Sequence, residues 1–404
     1  MQSKKDGIGE NAPFLHQTAK SENHNLNPMS KENLLMVADS DHDANMRYAV
    51  GMFVPDPFIF LRLDGTNSIV MNDLEIDRAR RSASHCEVLS LSFYLEELHK
   101  KRVKKPKLAN VIAAILRERK IKKVFVPANF PLSLARQLRD LEIKVKAKSG
   151  SFFPERESKT ADEVKKLSAA LIMAEVGLAE GIQALKNAKI DKKGQILHNG
   201  VALNSDKLRS IIDIAILQAG GLARHTIVAG GKQGCDPHEP GHGPLKANQP
   251  IILDVFPHSQ KTGYFGDITR TVVKGRASEA VRKLYSTVAE GQQIAFKLIA
   301  ADRKGVDVHN AVNEHFKSKG YATGKKDGRM QGFFHGTGHG LGLEIHEPPR
   351  ISPSSGDTLR IGHVVTVEPG LYYPELGGVR LEDVAYIGEK GTRNLTKFEK
   401  QLEV

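Results

Sequence analysis

Long apolar runs, cysteines and signal-like segments are all scarce in this chain of 404 residues, and each scarcity removes a class of protein. No uninterrupted apolar stretch approaches the roughly 18–20 residues that cross a bilayer, so no membrane association is expected. Only Cys86 and Cys235 are present, which argues against a disulfide framework and for a reducing compartment, by default the cytoplasm. The segment up to Ser30 has neither the apolar core of a signal peptide nor an Arg-rich amphipathic pattern. Residues 1–32 are therefore expected to form a mobile tail. Aromatic residues are sparse between Lys100 and Lys148, where sixteen Lys or Arg face three acids and account for the net charge of +12. Single-strand binders interleave such charge with stacking rings. The segment reads as a solvated basic face, and nucleic acid is not the expected partner.

What is present fits an ordinary globular protein, with 40% hydrophobic and 26% charged residues. The length predicts more than one domain. Apolar runs at Leu34 to Ala38, Phe58 to Leu63 and Thr66 to Met71, the last two flanking Asp64-Gly65, predict early β structure with a tight hairpin. Helical spacing of Leu108, Val111, Ile112, Ile115 and Leu116, a β-rich Val124-Phe125-Val126, a helix from Leu132 to Leu141 and then Ile143 and Val145 predict an α/β domain over residues 33–155. The pattern breaks at Pro154, and a long helix is expected from Thr160 to Asn187. Residues 158–404 then read as a mixed α+β domain, with strands near Thr226–Ala229, Ile251–Phe256, Ile268–Val273, Val364–Glu368 and Val379–Tyr386 and helices between them.

Four carboxylates in this second region, Asp254, Asp267, Glu368 and Glu382, lie in or beside apolar, β-prone runs. Buried and unpaired they would be very costly, so a cationic partner is expected. Two divalent ions match four carboxylates in charge, and oxygen ligands with one imidazole, His339, suit manganese, cobalt, iron or zinc. Asp254 and Asp267 end and begin two strands joined as in a hairpin, which brings them to one wall. Arg380 and Glu382, two apart on a strand, share a face, and Asp383 points away from it. His335, His339 and His346 fall in one Gly-punctuated segment, whose glycines permit close backbone approach. That segment lacks the last glycine of a GxGxxG and any P-loop lysine, so it is not a nucleotide site. Cys235, His238 and His242 have the spacing of a zinc half-site without a nearby fourth ligand. No G-x-S-x-G elbow occurs.

Gly266-Asp-Ile-Thr-Arg-Thr271, His335 to Glu347, Val367-Glu-Pro-Gly-Leu-Tyr372 and Gly378-Val-Arg-Leu-Glu-Asp383 resemble, in order and composition, the motifs of the pita-bread metallopeptidases, and among them the Xaa-Pro aminopeptidases and prolidases. The resemblance runs from Asp236 to Glu382. It implies a pita-bread catalytic domain behind a smaller, creatinase-like α/β domain. It also implies two metal ions, manganese foremost, held by Asp254, Asp267, His339, Glu368 and Glu382, with Asp267 and Glu382 bridging. His238 and His346 match substrate-side histidines; His335, Tyr372 and Arg380 match supporting or substrate-binding positions, and His242 competes with His238. Where the family has Asp-x-Gly, this chain has Asp254-Val255-Phe256.

The implied substrate is a peptide with proline second, and the implied assembly a homodimer. Glu368 would relay protons while His238 and His346 hold the substrate and stabilise the tetrahedral intermediate. A proline nitrogen carries no N–H, so ordinary peptidase contacts to it are missing and a shaped pocket must replace them. A metal-free amidine hydrolase of the creatinase kind and a non-catalytic binding module are the alternatives. Both predict degraded ligand positions, and here all five are filled.

Overall fold

The computed structural model describes residues 32–404, so the expected tail lies outside the described residues but for Glu32. Strand β1 (Leu34–Ala38) is followed by helix α1 (Ala44–Val50), β2 (Phe58–Leu63) and β3 (Thr66–Met71). Asp64 and Gly65 take φ of 48° and 86°, the left-handed pair that turns a two-residue hairpin. Strand β4 (Glu87–Ser90), helix α2 (Leu108–Glu118), β5 (Lys123–Val126), helix α3 (Leu132–Asp140) and β6 (Lys144–Ala147) complete one sheet in the order β4-β3-β2-β1-β5-β6. Side chains alternate across β1: Leu35 joins Val111, Ile112 and Leu116 of α2 on one face, and Leu34 and Met36 join Met46 and Phe60 on the other. Lys100, Lys101, Arg102, Lys104, Lys105 and Lys107 are all exposed, as a solvated basic face requires.

Phe152 and Phe153 still pack into that first core, and the chain then enters helix α4 (Ala161–Asn187). Its start is set by a capping box, with Thr160 accepting from the Glu163 N–H and Glu163 accepting from Thr160. The 27 residues of α4 are long and apolar enough to cross a membrane, yet Leu167, Leu171, Leu178 and Leu185 are buried in the protein core. Gly177 and Gly181 let helix α5 (Ser205–Gln218) close in, since a Cβ there would sit 2.5 Å from Ile216 and 2.7 Å from Ile212.

Strands β7 (Ile227–Gly230), β8 (Pro250–Val255) and β9 (Ile268–Val273) form an antiparallel sheet, with β8 in the middle. Helices α6 (Glu279–Leu298) and α7 (Gly305–Ser318) follow. They cover a second core that includes Val365, Val367, Leu371 and Val379. That core lies under β10 (Gly338–Gly340), β11 (Glu347–Ile351), β12 (Val364–Val367), the hairpin of β13 (Gly370–Tyr373) with β14 (Gly377–Arg380), and β15 (Asp383–Gly388) with β16 (Gly391–Asn394). The five-stranded sheet runs β11-β10-β12-β15-β16.

One expectation needs correcting: the strand read as Val379–Tyr386 is two strands. Arg380 pairs with Gly370 of β13, and Asp383 with Val367 of β12, so the chain changes sheets across Leu381-Glu382. The break is bridged by the Glu382 N–H, which donates to the Thr269 carbonyl of β9 at 3.0 Å. Face alternation survives the break, because Asp383 points away from Arg380 and Glu382 and pairs with Arg270 at 2.8 Å.

Arg270 is the largest fully buried side chain. Its guanidinium also donates to the carbonyls of Thr269, Glu382, Phe398 and Glu399, tying β9 to the sheet crossing and to the C-terminal segment. Arg270→Met is expected to destabilise the fold by about 3 kcal/mol, since Asp383 loses its buried partner and keeps only Lys400 and Asn394, and four backbone carbonyls lose a donor. Urea denaturation monitored by circular dichroism measures it.

Candidate metal centre

A cavity of about 510 Å³ opens where these sheets meet, and every site residue singled out in the sequence except Tyr372, His242 and Cys235 lines it. Asp254, from β8, and Asp267, one residue before β9, stand side by side because the two strands are antiparallel, with Asp254 opposite Thr269. His339 is the middle residue of β10. Glu368 follows β12 and is held by its own N–H, which donates to the Thr337 carbonyl at 2.8 Å. Glu382 sits at the strand crossing and accepts from the Thr269 hydroxyl at 2.8 Å. Ligand atoms of Asp267, His339 and Glu382 all lie within 4.8 Å of one another, and His339 Nε2 is 3.3 Å from Glu368 Oε1.

The glycines around His339 do a steric job. A Cβ at Gly338 would lie 1.9 Å from the Thr366 carbonyl oxygen, and one at Gly340 would lie 2.2 Å from that of Pro348. Only bare backbone lets β10 pass between its neighbours with the imidazole aimed into the cavity. His339 Nδ1 is 3.1 Å from the Gly340 carbonyl, a contact that puts the proton on Nδ1 and leaves the Nε2 lone pair facing the carboxylates. Burial, reinforced by His346, drives its pKa down to about 3, so the ring is neutral and able to ligate.

Electrostatics separate this cluster from an ordinary salt-bridge network. Burial and the Asp254 charge push the Asp267 carboxyl well above its usual range, and burial and Asp267 do the same to Glu382. Burial raises Glu368 to about 7. Asp254 gives one oxygen to Arg380 at 2.7 Å, and its other oxygen is buried with no hydrogen-bond partner. Arg380 is the one buried cation lining the cavity among the described residues, set against four buried or half-buried carboxylates. Three negative charges are left over, and an orphaned carboxylate oxygen points the same way. These residues fit divalent cations.

Behind the wall, a hydrogen-bond chain runs from His335 Nε2 to the Tyr372 hydroxyl at 2.8 Å, on to Arg380 at 3.0 Å and so to Asp254. Tyr372 is thus part of the support and not of the lining. His238 and His346 are exposed at the cavity mouth, and the His346 ring centroid lies 4.4 Å from that of His339. His242 is turned to solvent beside Glu239, so of the two candidates His238 faces the site. Cys235 packs under Ile252 and Tyr372, with its thiol pushed up to about 11 by burial, and forms no zinc half-site with these histidines.

The sequence reading missed Thr269, Thr366 and Arg350. The two threonines hold candidate ligand carboxylates or the His339 backbone, and Arg350 lines the cavity. Thr269 and Thr366 each lie two residues from a ligand candidate on the same strand face, which was the available signal.

Comparison with known proteins agrees with this geometry. The chain is similar to the uncharacterised peptidase YqhT of Bacillus subtilis, 33% identical over 267 residues, covering 61% of this chain and 73% of that protein. It is 36% identical over 178 residues to the Xaa-Pro dipeptidase of Pyrococcus furiosus, a match that spans 44% of this chain and 48% of that protein. The match thus spans about half the length of that dipeptidase. Among solved structures, the X-Pro aminopeptidase of Thermotoga maritima superposes with a TM-score of 0.77 at 24% identity, covering 92% of this chain and 97% of that one. That likeness is one of fold, a pita-bread domain with an α/β domain before it. The profile of metallopeptidase family M24 matches residues 165–389, more than half of the chain and the part that contains every carboxylate of the cavity, and the protein belongs to that family.

Proposed function

We propose that this chain removes the N-terminal residue from peptides whose second residue is proline. Two divalent cations, manganese foremost with cobalt, zinc or iron as alternatives, would be held by Asp254, Asp267, His339, Glu368 and Glu382. The observation that carries the reading is the excess of buried carboxylate around one neutral imidazole, in a chain similar to a Pyrococcus Xaa-Pro dipeptidase. Bound there, the cations would acidify a water and polarise the scissile carbonyl. Glu368, the most solvent-accessible of the four carboxylates, is the one assigned to accept a proton and return it to the proline nitrogen. His238 and His346 at the mouth orient the substrate and donate hydrogen bonds to the carbonyl oxygen as charge builds on it. The His335–Tyr372–Arg380 chain holds Asp254 in place.

A metal-free amidine hydrolase or a binding module has no need to keep five candidate ligand side chains around one cavity. Buried, unpaired Cys86 and Cys235 support a reducing, cytoplasmic setting, and the resemblance supports a homodimer. The test is release of the first residue from Xaa-Pro peptides after loading with manganese, cobalt or zinc. Turnover that needs metal and proline in second position is expected. Equal turnover after chelation would overturn the reading.

A further inference from the structure

A second cavity, about 680 Å³, lies between the two domains and shares Ile345 and His346 with the first. From the N-terminal domain it is walled by residues Ser40 to Ala44, Arg47 and Phe53, and from the catalytic domain by Leu222, Arg224 and Phe265 among others. The first cavity, at about 510 Å³, already falls within the roughly 300–1,000 Å³ that encloses a small ligand, so an Xaa-Pro pair does not need the second. An enzyme that removes one residue has only that residue upstream of the cut. A second volume of this size, continuous with the first at Ile345 and His346, gives room for residues that follow the proline.

Its lining suits a peptide. Phe53 and Leu222, from opposite domains, are 43% and 38% exposed, an apolar pair available to side chains. Arg224 is exposed, with no hydrogen bond or ion pair among the described residues. Arg47 is half-buried, packs against the backbone at Gly263 across the domain seam, and has one long side-chain hydrogen bond, 3.5 Å to the Lys261 carbonyl. Burial, against the pull of Asp41, works to lower its pKa, so its charge gains from an acceptor brought into the cavity.

We infer that this second cavity binds the residues downstream of proline, with Arg47 donating to a backbone carbonyl or terminal carboxylate, so that the preferred substrates are Xaa-Pro peptides of three or more residues. The inference rests on the Xaa-Pro reading above. In the manganese-loaded full chain, kcat/KM is measured for Xaa-Pro, Xaa-Pro-Yaa and Xaa-Pro-Yaa-Zaa. The longer peptides are expected to exceed the dipeptide by about tenfold or more, the scale of one charge-assisted hydrogen bond. Arg47→Met should lower the tripeptide-to-dipeptide ratio by about tenfold, chiefly through KM. Leu222→Trp, a change at an exposed position that narrows the cavity without touching Arg47, should lower the same ratio. Dipeptides cleaved as well as longer peptides, or a ratio untouched by both variants, would overturn the inference and leave the Xaa-Pro reading standing. Activity on no length would remove both.

Discussion

Asp267→Asn is expected to abolish turnover while leaving the fold intact. Asp267 lies at the centre of the cluster, within 4.8 Å of donor atoms of both His339 and Glu382, so its loss would weaken the whole of the proposed metal site. Removing one partner from a buried charge pair costs about 3–5 kcal/mol. Taken wholly from transition-state stabilisation, that is on the order of a thousandfold in kcat/KM. Metal content measured on the same samples gives the physical cause: fewer than two ions per chain are expected. Full activity with two bound ions would remove Asp267 from the centre.

The second large effect is a reversal of stability order on chelation. A ligand at a hundred times its Kd stabilises by about 2.7 kcal/mol, so the two proposed cations together would contribute roughly 5 kcal/mol. For a domain of this size that is about 10–20 °C in Tm. Without cations the carboxylates oppose folding, because burial and mutual repulsion raise Asp267 and Glu382 far above their unfolded values. The sign follows from linkage: the folded state holds more protons than the unfolded one, so the chelated protein loses stability as pH rises from the ordinary carboxylate range. For Glu368 that loss spans the window from 4.5 to about 7. Glu382→Gln removes one such charge at nearly constant shape. It is therefore expected to melt above the wild type in chelator at pH 7.5 and below it in manganese. Differential scanning calorimetry in both conditions decides, and a variant that melts lower in both would show that Glu382 is structural.

Much of this was legible because strand period and chain order are local properties. The hairpin at Asp64-Gly65, the antiparallel placement of Asp254 and Asp267, and the common face of Arg380 and Glu382 all follow from side chains alternating along extended backbone. The charge argument was legible too, since acids in apolar runs signal a cation wherever they converge. Short strands such as Gly338–Gly340 and Glu347–Ile351 were not, being Gly- and Pro-rich segments whose pairing partners lie far off in the chain.

The sequence by itself supplied the candidate donors, as acids set in apolar β-prone runs, and the order of the motifs that carry the family resemblance, because strand period and chain order are read residue by residue. Tertiary structure alone decided that the last strand breaks at Glu382 to change sheets, that His238 and not His242 faces the cavity, and that Arg47 reaches across the domain seam. Each of these depends on contacts between residues far apart in the chain, where side-chain direction is set by packing and not by neighbours in sequence.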